Sequence, residues 1–557
     1  MIVEKFQSWI LRRSLARFQT ARDLVRFAFR FYGKRIAVVD RRGAFTYRDM
    51  AQRSLQLSAA MEDSGIKKGD LVFTWLPETG EQLELRLATL ENGAILAMFH
   101  QGQTPDAALQ ALRRLKPKMF FHDNGMSGSI IDAVKTEFPQ VQCIALGVEY
   151  ENFLADVAAR RSQTAIRPQD YSALQFTSGS TGQPKAIAVT HEKQLLQLRM
   201  WAQELSLGGG ANTAKTHDVV LLGFPLTGLC GGMLLSALLS GSTVVLPTDY
   251  TVPVLTSLIR RWRVTSVLLS PLTLIDLLDD PQRDLYDLSS LRHVIYGADM
   301  MPAAKLDEAL RWLGPIFQQG YGSVEAMPPL TWLSANEHVD GSGAPASKEV
   351  LGSAGRVAAD VGIRVVNEAK RKLHDGHIGQ IVVKTPLAFT GYWGYPELND
   401  AAFYRGWVIT GDMGYVDAHE RLHVLGRRVD TVHRGAQAIY PRQVEDVAHG
   451  QAAVRDACLV QINDEAHLAV TLRHAWRKTA DRDALTREIE SYLHQHLASE
   501  LRPDRVHIID VMPRSFLNQT LRSELREQLL QQTWETTQFA PLLVSNPQEQ
   551  EIALETV

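Results

Sequence analysis

Cysteine is nearly absent: Cys143, Cys230 and Cys458 are the only three in a chain of 557 residues. They lie far apart and form no CxxC pair. That excludes a disulfide scaffold and a cysteine-rich zinc site, and it fits a reducing, cytoplasmic setting. An excess of charge is missing as well. Lys+Arg 59 against Asp+Glu 62 gives a net charge of −3, so no overall basic field exists to grip nucleic acid. There is no repeat of fixed period and no low-complexity tract. One run without charge, 219–248, is long enough on paper to span a bilayer. Gly223, Pro225, Gly228, Gly231, Gly232, Gly241 and Pro247 break it, so it reads as a buried strand–loop–helix and not a transmembrane segment, because unsatisfied backbone groups are costly in lipid. From Trp9 to Phe31 the chain is basic and apolar by turns. It lacks the apolar core and cleavage site of a signal peptide and reads as a helix packed on its own domain.

What is present is an ordinary globular composition, 45% hydrophobic and 22% charged, on a chain too long for one core. Ile36–Asp40 and Leu71–Trp75 read as strands, separated by a helix from Tyr47 that closes on Gly65. The rhythm returns at Thr243–Leu246, Val264–Leu269 and Val294–Tyr296. Strands alternating with helices predict an α/β fold of largely parallel sheets with helices on their faces. Shorter alternating strands at Gln380–Lys384 and Leu422–Leu425 predict a small antiparallel unit. Helices at 441–449 and 483–499 and a strand near 505–511 predict a smaller α+β domain. The boundary falls near Gly426, giving domains 1–425 and 426–557, the second with a polar tail.

The sharpest motif is Thr177-Ser-Gly-Ser-Thr-Gly-Gln-Pro-Lys185, entered from the strand-like run Tyr171–Phe176. Glycines let backbone N–H groups approach phosphate oxygens, hydroxyls add donors and lysine adds a point charge. The spacing is not that of a Walker loop, and proline precedes the lysine.

With this loop the sequence resembles the adenylate-forming superfamily of acyl-CoA synthetases, peptide-synthetase adenylation domains and luciferases. Tyr321-Gly-Ser-Val-Glu325, Thr410-Gly-Asp412, Gly426-Arg427, and Gly435 with Ile439-Tyr-Pro441 through Glu445 extend the likeness over nearly the whole chain. The resemblance implies a large domain that binds ATP and the acid, and a C-terminal domain that rotates between adenylating and thioesterifying poses. It implies nucleotide contacts from Thr177, Ser178, Gly179, Ser180, Thr181, Gly182 and Lys185. It adds Gly297, Ala298, Gln319, Gly320, Tyr321, Gly322, Ser323 and Val324. Tyr321 would stack on adenine, Asp412 and Arg427 would hold the ribose, and Glu325 would hold Mg²⁺. Lys185, Glu325 and the residue at 519 would carry catalysis. The implied reaction joins a carboxylate to AMP and then to a thiol, on CoA or on the phosphopantetheine of an acyl carrier protein.

Four positions depart from the family pattern. In Pro513-Arg-Ser-Phe-Leu-Asn-Gln519, Gln519 stands where the family's adenylation lysine belongs, and Asn518 replaces its glycine. Val324 replaces a threonine, and Val429, before Asp430, falls at the hinge residue. With Arg434 and Gly435 these form the implied hinge and thiol loop. The acid pocket is expected beside Phe224, Leu226, Thr227, Gly228, Leu229, Tyr296 and Gly297. That stretch has no acidic residue to pair an ammonium, and an unpaired ammonium in an apolar pocket is costly. An uncharged-tail acid (fatty, polyketide or aryl) is therefore expected. Two functions stay open: a ligase, and a degenerate relative that binds a thioester or carrier protein with little adenylation of its own.

Overall fold

The computed structural model describes residues 18–126, 128–177, 184–204, 218–227, 229–478, 481–515 and 517–531. Two sheets dominate. The first has nine strands, in the order Arg356–Val357, Thr331–Leu333, Phe317–Tyr321, His293–Gly297, Ser266–Leu269, Val219–Leu222, Thr243–Val245, Ile36–Asp40 and Gly43–Thr46. Its six central strands are parallel, and antiparallel strands close both edges. The second has six strands, with Leu71–Leu76 and Ile95–His100 at its centre and the antiparallel pair Tyr171–Phe176 and Ala186–Thr190 at one edge.

One apolar core joins the two sheets, with Val72 and Leu96 from one meeting Val220 and Val244 from the other. The helix Gly80–Asn92 lies there with every residue buried. Its carboxylates survive burial because each has a guanidinium from elsewhere. Glu84 pairs with Arg42 at 3.0 Å and Arg53 at 2.9 Å, Glu81 with Arg42 at 3.3 Å, and Glu91 with Arg26.

The helix predicted from Tyr47 runs over Tyr47–Asp63. Thr46 and Asp49 form a reciprocal cap at its start, and Gly65, at φ +89°, follows its end. The uncharged run folds as the strand Val219–Leu222, the helix Leu229–Leu239 and the strand Thr243–Val245. Among the described residues no helix is long and apolar enough to cross a membrane.

A five-stranded antiparallel sheet spans 362–427. Gly426 and Arg427 are its last pairs, opposite Met413 and Asp412, so this strand runs two residues past the expected boundary. Beyond it, the strands Val454–Ile462, Glu465–Leu472 and Arg505–Ile508 carry the helices Pro441–Ala448 and Arg482–His496 around a separate core. The fold is α/β with a smaller α+β unit, as the strand–helix alternation implied.

Candidate active site

The parallel strands His293–Gly297 and Phe317–Tyr321 end side by side, with Gly297 opposite Gly320. In open α/β sheets, ligands bind beyond such carboxyl ends. The backbones come so close that a Cβ on Gly297 would lie 2.5 Å from the Gly320 carbonyl oxygen. Tyr321 closes its strand and donates its hydroxyl to Asp412 Oδ2 at 2.6 Å. Asp412 faces Arg427 across the antiparallel sheet, with Arg427 Nε 3.1 Å from Oδ1. Burial pushes the Asp412 carboxyl up while Arg427 pulls it down. Burial and the neighbouring Asp412 hold the Tyr321 phenol protonated, as a donor. The arrangement can grip a polyol: a buried carboxylate acceptor, steadied by a phenol and a guanidinium.

The glycine-rich loop is pinned at its mouth. Thr177 N–H donates to the Lys185 carbonyl at 2.9 Å, and Lys185 N–H donates to Thr177 Oγ1 at 3.3 Å. Ser178, Gly179, Ser180, Thr181 and Gly182 lie outside the described residues. The Lys185 ammonium lies over the ring of Tyr392, 5.3 Å from its centre. Tyr392 donates its hydroxyl to Glu325 Oε1 at 3.1 Å. Thus Lys185 and Glu325, far apart in sequence, share a neighbour that sequence reasoning missed. Ser323 Oγ accepts the Ala326 N–H at 3.3 Å, while Val324 turns its methyl groups to the apolar cluster around Ile187 and Leu330.

Gln519 reaches this edge from the C-terminal unit. Its Nε2 donates to the carbonyl of Ala298 at 2.7 Å, and Ala298 itself has φ +68°. The turn bearing Gln519 is tight: Ser515 N–H donates to the Gln519 carbonyl at 2.8 Å, and Asn518 sits at φ +62°. The surrounding seam is polar. Lys305 donates to the Val454 carbonyl at 2.8 Å, and Arg442 donates to that of Met301 at 3.0 Å. Arg455 pairs with Asp276, and Arg473 pairs with Glu308 at 3.0 Å and Asp279 at 3.3 Å. A cavity of about 60 Å³ beside it is lined by Asp299, Arg442, Asp446, Arg514 and Arg522 among others. In the implied hinge, Val429 is 72% exposed and Asp430 lies 3.6 Å from Arg522. Arg434 pairs with Asp504 at 2.7 Å, before Gly435 at φ +60°.

Phe224 packs with Trp201, Met233, Leu268, Ile295 and Trp332, and Ala298 lies against this cluster. The two tryptophans meet edge to face at 5.9 Å. Neither gave a signal in sequence, since each looks like ordinary core. Leu226 is held at both main-chain atoms: its N–H donates to Glu78 Oε2 at 2.7 Å, and its carbonyl accepts from Arg86 at 3.4 Å. So an acidic residue does reach this loop, from an element the local reading did not scan. Thr227 Oγ1 is buried with no hydrogen-bond partner among the described residues. Gly228 lies outside the described residues, and Leu229 opens a helix. Tyr296 is a correction. The strand's pleat sends Ile295 to the Phe224 face and Tyr296 to the opposite one. There the Tyr296 hydroxyl meets His338 Nε2 at 2.9 Å and Gln319 Oε1 at 3.3 Å. Gln319 therefore spends its amide in the core.

The family described as AMP-binding enzyme matches residues 25–393, and the chain belongs to that family. It is 30% identical over 371 residues to a medium/long-chain-fatty-acid–CoA ligase, FadD8, of Mycobacterium tuberculosis, a match covering 65% of this chain and 62% of that relative. It is 26% identical over 490 residues to a fatty acid–[acyl-carrier-protein] ligase, ScoC, of Streptomyces coeruleorubidus, covering 86% of this chain and 91% of that one. Among solved structures it is similar to the anthranilate CoA ligase AuaEII in complex with anthranoyl-AMP. The TM-score there is 0.84 at 19% identity, over 92% of this chain and 98% of that chain; at that identity the likeness shows the fold.

Proposed function

We propose that the chain uses ATP to activate an uncharged-tail carboxylic acid as its acyl-AMP, and then passes the acyl group to the thiol of CoA or of a carrier protein's phosphopantetheine. The observation that carries this reading is that Tyr321, Asp412 and Arg427 are joined side chain to side chain, that Glu325 lies close enough to act on Arg427, and that Lys185 and Glu325 share Tyr392. Asp412 and Arg427 take the ribose hydroxyls. Lys185, at the exit of the glycine-rich loop, faces the phosphates, where charge grows as the acid oxygen attacks and pyrophosphate leaves.

Glu325 is the carboxylate for Mg²⁺. The donor set fits: Glu325 offers a carboxylate with one oxygen held by Tyr392, and Mg²⁺ commonly takes one or two carboxylates, with water and phosphate oxygens for the rest. When bound, the ion neutralises phosphate charge. The cluster of Trp201, Phe224, Ile295 and Trp332 favours an aryl or fatty tail, and the unpartnered Thr227 hydroxyl is free for a polar group of the acid.

A second reading, a binding protein with little adenylation, draws on Gln519 and Val324. If Gln519 occupies the place of the family's lysine, the amide brings no charge, and one of its two donors is already given to Ala298. Pyrophosphate release over a panel of aryl and fatty acids separates the two. An active ligase releases pyrophosphate with at least one acid and forms a thioester when the thiol is added. Synthetic acyl-AMP should be converted faster than ATP plus free acid. Nucleotide binding without release for any acid supports the second reading.

A further inference from the structure

The segment Phe389–Trp393 belongs to none of the motifs read from the sequence, yet it is tied to both sides of the phosphate site. Phe389 N–H donates to the Glu325 carbonyl at 2.7 Å, and Trp393 N–H donates to the Ala186 carbonyl at 2.7 Å. Tyr392 itself bridges to Ile187. Ala186 and Ile187 directly follow Lys185, so five residues join the exit of the glycine-rich loop to the turn that carries Glu325. The backbone of Tyr392 is fixed further. Its N–H donates to Asn399 Oδ1 at 2.9 Å. Gly391, at φ +145°, lets that amide lie where a Cβ would come within 2.6 Å of it. The Tyr392 ring packs edge to face on Phe389 at 4.9 Å, and Phe389 stacks on Phe403 at 4.8 Å. Both the main chain and the ring of Tyr392 are therefore held before any ligand arrives.

From this held position the phenol donates to one oxygen of Glu325, and the ring faces the Lys185 ammonium. We propose that Tyr392 is a positioning residue of the site: its hydroxyl fixes the Glu325 carboxylate for the cation, and its ring keeps Lys185 on the phosphate side. The inference rests on the nucleotide site proposed above. A carboxylate whose second oxygen is held by a donor presents its free oxygen in one orientation, and partners that orient a metal ligand typically change metal affinity or activity by about 10–100-fold when lost. The ring supplies no competing hydrogen bond. The ammonium can leave a solvent-facing aromatic surface for a phosphate at little cost.

The test uses the full chain, with ATP binding measured by calorimetry across a Mg²⁺ titration and again in excess chelator, with no acid present. Tyr392→Phe should raise the Mg²⁺ concentration for half-maximal ATP binding about 10-fold or more, with metal-free ATP affinity and melting temperature unchanged. Tyr392→Leu should shift the Mg²⁺ dependence equally and also weaken metal-free binding, because the ring over Lys185 is gone. Glu325→Gln is the reference. If it shifts the Mg²⁺ dependence and Tyr392→Phe does not, the role of Tyr392 is overturned while the site stands. If Glu325→Gln leaves the dependence unmoved, the metal assignment fails and takes this inference with it.

Discussion

Asp412 and Gln519 stand at two corners of one site and are held in opposite ways. Asp412 lies within a sheet, fixed by Tyr321 at 2.6 Å and Arg427 at 3.1 Å, so its charge is in place whatever the C-terminal unit does. Gln519 reaches the site across the seam between two separately packed cores, and its side chain makes one neutral hydrogen bond, to Ala298. On the function proposed above, the contrast teaches that grip on the nucleotide and help with its chemistry are separable. One is built into the sheets, while the other exists only when two bodies are docked.

The largest test of that contrast is to charge the weak corner. Gln519→Lys should raise pyrophosphate release toward about 10²-fold, the typical worth of one electrostatic donor, with AMP affinity unchanged. Asn518→Gly should add little to it, because Asn518 already holds the left-handed backbone at φ +62° that glycine favours. A rise in AMP affinity without a rise in rate would undo the division of labour. Next comes discharge of the strong corner: Asp412→Ala should weaken AMP binding about 10- to 100-fold, as hydrogen bonds to a charged group are worth about 1.5–3 kcal/mol. Calorimetry at fixed salt reads this, and wild-type affinity in the variant would remove Asp412 from the ribose site.

Glu78 offers a third corner, where a titratable carboxyl is buried without docking. Burial pushes its carboxyl up to about 8 from the ordinary 4.5. A carboxyl raised in the folded chain contributes stability that is fully present below pH 4.5 and is lost as pH climbs to about 8. Glu78→Gln should therefore gain on wild type by about 1.4 kcal/mol per pH unit between those values, read from denaturant midpoints at pH 5, 6, 7 and 8. A gap that does not grow with pH would mean that Arg86 keeps the carboxylate ionised throughout. The smallest effect belongs to the seam. Arg455 and Asp276 are 18% and 36% exposed, and such pairs are worth roughly 0.2–1 kcal/mol. Asp276→Asn should make the turn at 428–430 only slightly more open to protease, and less so in high salt; equal cleavage in low and high salt would take this pair out of the docking balance.

The fold was largely legible because its signals are local. Alternation marked Ile36–Asp40 and Leu71–Trp75, and Gly223, Pro225, Gly241 and Pro247 cut the uncharged run where the structure turns, while Gly231 and Gly232 fall inside the helix Leu229–Leu239. Short motifs that carry their own turn chemistry singled out Tyr321, Asp412 and Arg427, which the structure brings into contact, and Glu325 and Lys185, which share Tyr392. What escaped came from long-range pairing. Tyr392 meets Glu325 across 67 residues, and Glu78 meets Leu226 across 148. Trp201 and Trp332 carry no local mark that separates a pocket wall from core. Tyr296 went astray for a different reason: placing Tyr296 and Gly297 on one wall ignores that neighbours on a strand face opposite sides.

The polar seam has a thermal consequence. Lys305, Arg442, Arg455, Arg473 and their partners are what parting the two bodies would wet. Exposing apolar surface raises heat capacity and exposing polar surface lowers it. Separation of the bodies should then carry a heat-capacity change near zero or negative, while unfolding either core, rich in Leu, Val and Ile, carries a large positive one. On warming, the docked fraction should drift along a nearly straight van't Hoff line up to the temperature at which the curved stability of the cores gives way.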